Sequence, residues 1–204
     1  MNKSLKTWIA LFIAINLTGI GVALFVQANL GSDTITVFID GFKNILGVSL
    51  GGASRVYNLI ALVIALLLSR KDIGWCTIIY ALTVGYAMDF YNSLIGDWNI
   101  AQMGMIVRFI TVLFGQLCFG VTYALLILHR KGMNQMDAIS YGIVHRTNIS
   151  YTIIRTGMDV ILLISGWLMG GVVGIGSIIA MATTGYLVNF ILNKFHRKEE
   201  AVII

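Results

Sequence analysis

The chain has 204 residues, of which 58% are hydrophobic and 11% are charged, and it carries a net charge of +5. Its mean hydropathy is +0.87. Soluble proteins average about 25% charged residues, so this composition excludes an ordinary soluble domain and indicates an integral membrane protein. The basic residues cluster at the ends of apolar runs, which is typical of membrane orientation signals rather than of a nucleic-acid interface. We therefore expect membrane lipids as partners and no nucleic acid.

Apolar runs of about 20 residues predict six membrane-spanning helices. The first run continues without a small-residue cleavage site, so we expect it to be retained rather than removed as a signal peptide. Alternate connections are rich in Lys and Arg, and the positive-inside rule places both termini in the cytoplasm. The predicted spans lie at about 8–27, 53–69, 73–93, 104–128, 151–170 and 174–194.

Two connections are too long and too apolar to be simple loops. They predict short helices over about 33–46 and 134–146, with Asp33 and Asn134 as N-cap residues. Each has about a dozen residues, enough to cross roughly half of a 30 Å hydrocarbon core. Two interpretations stay open: a re-entrant half-helix and an amphipathic helix on the membrane surface. The lack of a Lys-rich polar face favours the re-entrant interpretation.

The chain resembles itself at a shift of about 100 residues, which divides it into a first repeat, 1–100, and a second, 101–204. Each repeat has the order span, short helix, span, span. Three spans are an odd number, so the second copy enters the membrane from the opposite side. The predicted fold is therefore all-α and polytopic, with six transmembrane helices forming two inverted-topology three-helix repeats. The matching positions in the last two spans of the repeats are Gly74/Gly174, Ile78/Ile178, Ile79/Ile179, Thr83/Thr183, Gly85/Gly185, Tyr86/Tyr186 and Phe90/Phe190.

Charged residues inside the spans predict two ion pairs. Arg55 and Asp89 lie at equal distance from the turn between the second and third spans, so they face each other across a helical hairpin. In the second repeat Arg155 faces Asn189, which cannot neutralise it, but Asp159 lies four residues along the same helix. The first repeat has Leu59 at the position that the 100-residue shift pairs with Asp159.

Two interpretations of these pairs are open. They compensate charge in a poorly hydrated region, or the arginines attract anions or gate an outer and an inner vestibule beside the short-helix N-termini. In the second case titration of an aspartate couples transport to protons. The candidate substrate or gating residues are Arg55, Asp89, Arg155, Asp159, Asn189, Asp33 and Asn134.

Three other charged residues have simpler expected roles. Arg108, near a span end, is expected to extend towards the lipid headgroups, and Asp40 and Asp137 are expected on the wet faces of the short helices. The two cysteines, Cys76 and Cys118, lie in separate apolar runs without ligand spacing, so neither a disulfide nor a metal site is predicted. No cofactor is expected.

Residues 22–54 resemble the opening of the YczE-like bacterial membrane proteins, a group often bracketed with YitT and YyaS. The shared pattern is a leucine-glycine step, a short helix and a stretch of small residues before the second span. The resemblance implies a multi-pass protein of the bacterial plasma (inner) membrane and supplies no substrate or functional residues. The matching residues are Leu30, Gly31, Gly41, Gly47, Gly51 and Ser54.

Inverted repeats with short helices predict a small permease that moves a small solute, anionic solutes included, by alternating access. One alternative is a substrate-binding subunit like the S components of vitamin importers, for which Ala10 and Ala14 offer a small-residue docking face. Another is a non-transporting accessory protein. No nucleotide-binding or hydrolase motif occurs, so we expect no enzyme activity. A homo-oligomer and a partner membrane protein both remain open.

Overall fold

The computed structural model describes residues 3–128 and 134–201, and this part of the chain is all-helical. Six long helices and two 13-residue helices overlap the segments predicted from the sequence. The helices are α1 Lys3–Ala28, α2 Thr34–Leu46, α3 Leu50–Ser69, α4 Trp75–Gly96, α5 Met105–Leu128, α6 Gln135–Thr147, α7 Tyr151–Leu168 and α8 Ile175–Ala201.

Three of these helices are long and apolar enough to cross a membrane. The qualifying stretches are Leu5–Ala28 in α1, Leu50–Ser69 in α3 and Met105–Leu126 in α5. The outer surface of the helices is itself apolar: Leu67 and Ile106 are each 76% exposed. A protein in water would bury such side chains, whereas lipid solvates them. The chain is therefore a membrane protein.

The short helices α2 and α6 begin and end with matching caps. The Asp33 side chain accepts a hydrogen bond from the backbone N–H of Thr36, and Asn134 accepts one from that of Met136. At the other ends Gly47 and Asn148 adopt left-handed backbone conformations, with φ of 63° and 56°. The predicted N-cap roles of Asp33 and Asn134 are confirmed. These caps satisfy backbone groups that would otherwise be unpaired.

Each short helix packs against a long helix of the other half of the chain, α2 on α7 and α6 on α3. Along α2, the Thr34 hydroxyl donates to Asp159 near the middle of α7, and the Asn44 amide reaches the carbonyl of Gly170 just beyond its end. The two helices therefore run side by side in the same direction, with the N-terminus of α2 at the middle of α7.

Helix α6 repeats this arrangement on α3. Its first residue, Gln135, donates to Asn58 in the middle of α3, and Arg146, near its last turn, donates to the carbonyl of Leu68 at the α3 end. The long helices also make contacts of α1 with α4 and α5, of α3 with α4, and of α5 with α8, and within each half α2 contacts α3 and α6 contacts α7. The two halves interlock instead of packing as separate units.

The closest helix approach is between α3 and α4 at Gly51 and Gly85. A Cβ atom on Gly85 would lie 2.5 Å from the Gly51 carbonyl oxygen and 2.6 Å from Cγ of Arg55, closer than real side chains permit. Small residues at such crossings let helix backbones pack directly in a membrane. This contact places the N-terminus of α3 against Asp89 of α4.

We predict that Gly85→Ala lowers the thermal stability of the protein in detergent. The added methyl must separate α3 from α4, and overpacking of this kind costs about 1–3 kcal/mol. The control is Gly157→Ala on α7, where a Cβ meets nothing within 4 Å. Melting temperatures of both variants, measured by thermal shift, should separate them. Equal stability of the two variants would show that the α3–α4 contact is not a constraint on the fold.

Candidate functional site

A cavity of about 50 Å³ lies at the centre of the helices, and both short-helix N-caps line it. Asp33 and Asn134 thus meet at one place, although 101 positions separate them in the sequence. Apolar walls come from α1, α2, α4 and α5, including Val22, Ile39 and Met88. The other polar residues around the cavity are Thr18, Thr36, Ser54, Tyr57, Asn58, Tyr80, Tyr123 and Gln135.

Asp33 is the sole charged residue among the described residues that line this cavity. One carboxylate oxygen, Oδ2, accepts from Thr36 N at 3.4 Å. The other, Oδ1, is buried and has no hydrogen-bond partner among the described residues. Burial raises the pKa of Asp33 above its ordinary value of 3.8, and the nearby Asp159 carboxylate adds to the rise, while the Thr36 hydrogen bonds oppose it. The side chain is thus a buried acid with one unsatisfied oxygen.

Tyr57 supplies a second unsatisfied group at the cavity. Its hydroxyl is also buried without a hydrogen-bond partner among the described residues. Other polar side chains around the cavity have hydrogen-bond partners. Tyr80 pairs with Thr18 at 2.9 Å, and Gln135 donates to Asn58 at 3.3 Å. Buried polar groups are nearly always paired, so two unpaired oxygens on one cavity single out this wall.

Arg155 lies between two carboxylates beside the cavity. Its Nε is 3.3 Å from Asp159 Oδ2, which confirms the predicted pairing, and its NH1 is 3.6 Å from Asp137 Oδ1. Each carboxylate also accepts a hydroxyl hydrogen bond, Asp159 from Thr34 at 2.9 Å and Asp137 from Tyr151 at 2.7 Å. Asp137 is expected on a wet helix face, and its side chain is 34% exposed while it also contacts Arg155 and Tyr151 of α7.

The Arg55–Asp89 pair also forms as predicted, with NH1 3.3 Å from Oδ2. Asp89 additionally accepts from the Ser49 hydroxyl at 2.8 Å and from the Gly51 backbone N–H at 2.7 Å. The Arg55 guanidinium stacks over the Tyr86 ring, 4.4 Å from its centroid. Neither Arg55 nor Asp89 lines the central cavity. Their geometry ties the N-terminus of α3 to α4 and gives them no contact with an enclosed site.

The predicted correspondence between Arg55 and Arg155 is wrong. The N-caps of α3 and α7, Ser49 and Ser150, are 101 positions apart, not 100. In that register Arg155 corresponds to Ser54. The 100-residue shift holds only for α4 and α8, which begin at Trp75 and Ile175, so the difference of one residue falls in the turns before them.

The same register pairs Asp159 with Asn58 instead of Leu59. Structure supports this correspondence, because Asp159 accepts from the first residue of α2 and Asn58 from the first residue of α6. The side chain of Asn189 lies outside the described side chains, so its place opposite Arg155 stays a prediction.

Two further charged residues differ from expectation. Arg108 donates to the backbone carbonyls of Ala28 and Asn29, both at 2.8 Å, and so closes the C-terminus of α1 instead of only reaching towards headgroups. Asp40 is buried on α2, with its carboxylate 2.6 Å from Lys43 Nζ and 3.1 Å from the backbone nitrogen of Val172. It faces the α7–α8 turn and not solvent.

A larger cavity of about 250 Å³ lies next to the central one. Asn29, Ser32, Asp40 and Lys43 contribute to its walls, and Ser32 directly precedes Asp33. Phe25 lines this larger cavity and Ile39 lines the central one, and both belong to one buried apolar cluster. Among the described residues, no group of three His, Cys, Asp or Glu side chains is placed to hold a metal ion.

Comparison with known proteins gives a family and no activity. Residues 5–193 match the family model described as "Family of unknown function (DUF6198)". An uncharacterized protein from Haemophilus influenzae is 26% identical over 188 residues, covering 92% of this chain and 84% of that protein. The uncharacterized membrane protein YczE from Bacillus subtilis is 22% identical over 186 residues, covering 91% and 85%. The expected YczE-like relationship is confirmed, and no solved structure matches.

We predict that Asp89→Ala destabilises the protein more than the double variant Arg55→Ala with Asp89→Ala. The single change leaves the Arg55 guanidinium without its counter-ion and the Gly51 N–H without its acceptor. The double change also leaves the Gly51 N–H unpaired, but it removes the guanidinium, so no unpaired charge remains. Hydrogen bonds to charged groups contribute about 1.5–3 kcal/mol, and the partial exposure of both side chains places the effect at the low end of that range.

The measurement is a double-mutant cycle on melting temperature in detergent, in which a positive coupling energy is expected. The same cycle on Arg155 and Asp159 is the matched comparison. Additive single effects at Arg55 and Asp89 would contradict an energetically coupled pair.

Proposed function

This chain belongs to the DUF6198 family, and we propose that it is a small permease of the bacterial plasma membrane, moving a small polar solute by alternating access between two inverted repeats. The observation that carries the proposal is the meeting of Asp33 and Asn134 at one central cavity. Transporters with inverted repeats bind solute near the repeat interface, where broken or short helices end. Here one short helix from each half has its N-terminus at such a place.

The packing of α2 and α6 supports re-entrant helices over surface helices. Each begins at the middle of a long helix and ends beside the terminus of that helix. The C-terminal end of α2 lies at the α7–α8 turn, and that of α6 at the end of α3. If both termini are cytoplasmic, α2 enters from outside and α6 from inside, and each covers half of the membrane depth.

The cavity wall favours a neutral or cationic solute over an anionic one. No described lining residue is basic, and Asp33 contributes a negative charge. Arg155 lies nearby, but two carboxylates already neutralise it. The anionic solute allowed by the sequence would replace an aspartate as the counter-ion of Arg55 or Arg155, and neither arginine lines this cavity.

The size of the cavity corresponds to a closed state of the transport cycle. A buried water needs about 10–15 Å³ of such space, so the cavity holds about three waters or a solute of a few heavy atoms. The 250 Å³ cavity would then be the outer vestibule, reaching Ser32. Movement of Phe25 and Ile39 would join the two spaces, and we propose these side chains as the outer gate.

The alternative of an S-component-like subunit loses its sequence support. Ala10 is 7% exposed and Ala14 is 0% exposed. The Ala14 carbonyl accepts a hydrogen bond from Thr122 of α5 at 3.3 Å, so this small-residue face is covered within the chain. A partner helix would have to dock elsewhere, and we retain the permease as the proposed function.

We predict that cysteines at the C-terminal ends of the two short helices label from opposite sides of the membrane. In a background with Cys76→Ala and Cys118→Ala, Asn44→Cys should react with a membrane-impermeant maleimide on intact cells. Thr147→Cys should react only after the cells are permeabilised. Labelling of both cysteines from one side would refute the inverted arrangement of the repeats.

We further predict that filling the central cavity abolishes transport. Ser54 lines the cavity and is fully buried, so Ser54→Leu should occupy the space that a solute needs. Proteoliposomes containing wild type, Ser54→Leu or the control Gly157→Ala are incubated with an isotope-labelled extract of bacterial metabolites, and the internal contents are identified by mass spectrometry.

The expected result is a solute that accumulates with wild type and the control, and whose internal amount falls at least about tenfold with Ser54→Leu. Both variants must elute as folded monodisperse protein. Identical contents in all three preparations and in empty liposomes would refute the permease proposal.

A further inference from the structure

We propose that the central cavity binds one monovalent cation beside Asp33, and that this cation is the coupling ion of the transport cycle. The role in coupling rests on the proposed permease function, whereas the binding site stands on its own geometry. The shared chemistry is a single positive charge at the Asp33 carboxylate, carried by a proton or by an ion of the size of Na⁺ or K⁺.

The first observation is a pair of oxygens that the described protein leaves without partners. Asp33 Oδ1 and the Tyr57 hydroxyl are both buried, both without hydrogen bonds in the described chain, and both on residues that line the cavity. A carboxylate oxygen is an acceptor only, and a tyrosine hydroxyl offers lone pairs as well as a proton. A cation in the cavity supplies the buried Asp33 oxygen with a partner, and the Tyr57 hydroxyl lines the same space.

The second observation is the balance of charge around the cavity. Three carboxylates are close to it, those of Asp33, Asp137 and Asp159, against the single guanidinium of Arg155. The N-termini of α2 and α6 contribute about half a positive charge each. The sum is about one negative charge around the buried Asp33 carboxylate, and uncompensated buried charge is costly. One monovalent cation neutralises it.

The titratable groups that face Asp33 from other helices do not supply the positive charge that would neutralise it. Tyr57 of α3, Tyr80 of α4 and Tyr123 of α5 are neutral near pH 7, and each contributes a hydroxyl and an aromatic face. Asp159 of α7 is a like charge, and Arg155 is held by Asp159 and Asp137.

Asp33 is preferred over the other two carboxylates because no cationic side chain pairs with it in the described chain, and one of its oxygens is buried without a hydrogen bond. Asp137 and Asp159 each have Arg155 and a donated hydroxyl, from Tyr151 and Thr34 respectively. The matching N-cap in the second repeat, Asn134, is neutral. The two-fold relation of the repeats therefore produces one charged cap at the cavity, and one cation for each chain.

The experiment measures cation binding by the purified full-length protein in detergent, without any solute. Melting temperatures are recorded for wild type, Asp33→Asn and the control Asp40→Asn, which alters a buried carboxylate that is paired with Lys43 outside the central cavity. Asparagine is a good N-cap, as Asn134 shows in α6, so Asp33→Asn should fold.

In the salt arm, NaCl or KCl replaces choline chloride at constant ionic strength and about pH 8, well above the ordinary carboxyl range. A cation site at Asp33 predicts a saturable rise in melting temperature with one alkali cation, because ligands that bind the native state stabilise it. The rise should be lost in Asp33→Asn and kept in Asp40→Asn.

In the proton arm, the pH is varied from about 4 to about 8 in choline chloride. Because burial raises the pKa of Asp33, the folded protein holds this proton at pH values where the unfolded chain has lost it. The resulting stabilisation is complete below the ordinary pKa of 3.8 and is lost as the pH rises through the raised value. Asp33→Asn should flatten this part of the profile, and Asp40→Asn should keep it.

Tyr57→Phe provides a second test that does not alter the charge of Asp33. Removal of the hydroxyl should weaken alkali-cation binding several-fold in the salt arm, or shift the pH midpoint in the proton arm. A response in either arm that depends on Asp33 supports the proposal and identifies the cation.

If wild type responds in neither arm, or if Asp33→Asn keeps the full response, the cation site is refuted. That result leaves the proteoliposome experiment unaffected, because solute accumulation is measured separately. Conversely, cation binding without any transported solute would refute the permease and leave the site in place.

Discussion

Two short helices have their N-termini at the middle of the protein, and the packing of the two halves depends on this placement. A helix terminus exposes unpaired backbone groups, and these are tolerated at membrane depth only where protein satisfies them or where they border a polar cavity. Asp33 and Asn134 provide the capping acceptors, and α7 and α3 cover the sides of the helices. The interlocking of the two halves follows from this requirement, since each short helix finds its long partner in the other half.

Arg55 and Arg155 do not line the central cavity. Arg55 joins the Asp89 carboxylate at the N-terminus of α3, where the contact of Gly51 with Gly85 brings the helices together. Arg155 is neutralised by Asp137 and Asp159 beside the cavity. Both arginines are therefore ion-paired. Among the described residues, Asp33 is the carboxylate that lines the cavity, and it has no ion-pair partner there.

The two repeats share the order of their helices but differ in the positions of their charged residues. In the register fixed by the caps, Asp33 corresponds to Asn134, Thr36 to Asp137, Ser54 to Arg155 and Asn58 to Asp159. The first half thus places one carboxylate at the cavity, and the second half surrounds it with an ion-paired cluster.

Hydrophobic runs, cap residues and repeat spacing were sufficient to predict all eight helices, the N-cap roles of Asp33 and Asn134, and the Arg55–Asp89 and Arg155–Asp159 pairs. These features are local, or lie across one tight hairpin, so residue spacing alone carries the information. The meeting of the two short helices, the turn of Asp137 towards Arg155 and the missing partner of Asp33 depend on contacts between distant segments. They needed the tertiary structure, because residue spacing does not say which distant segments touch, and because an unsatisfied oxygen is defined by everything packed around it.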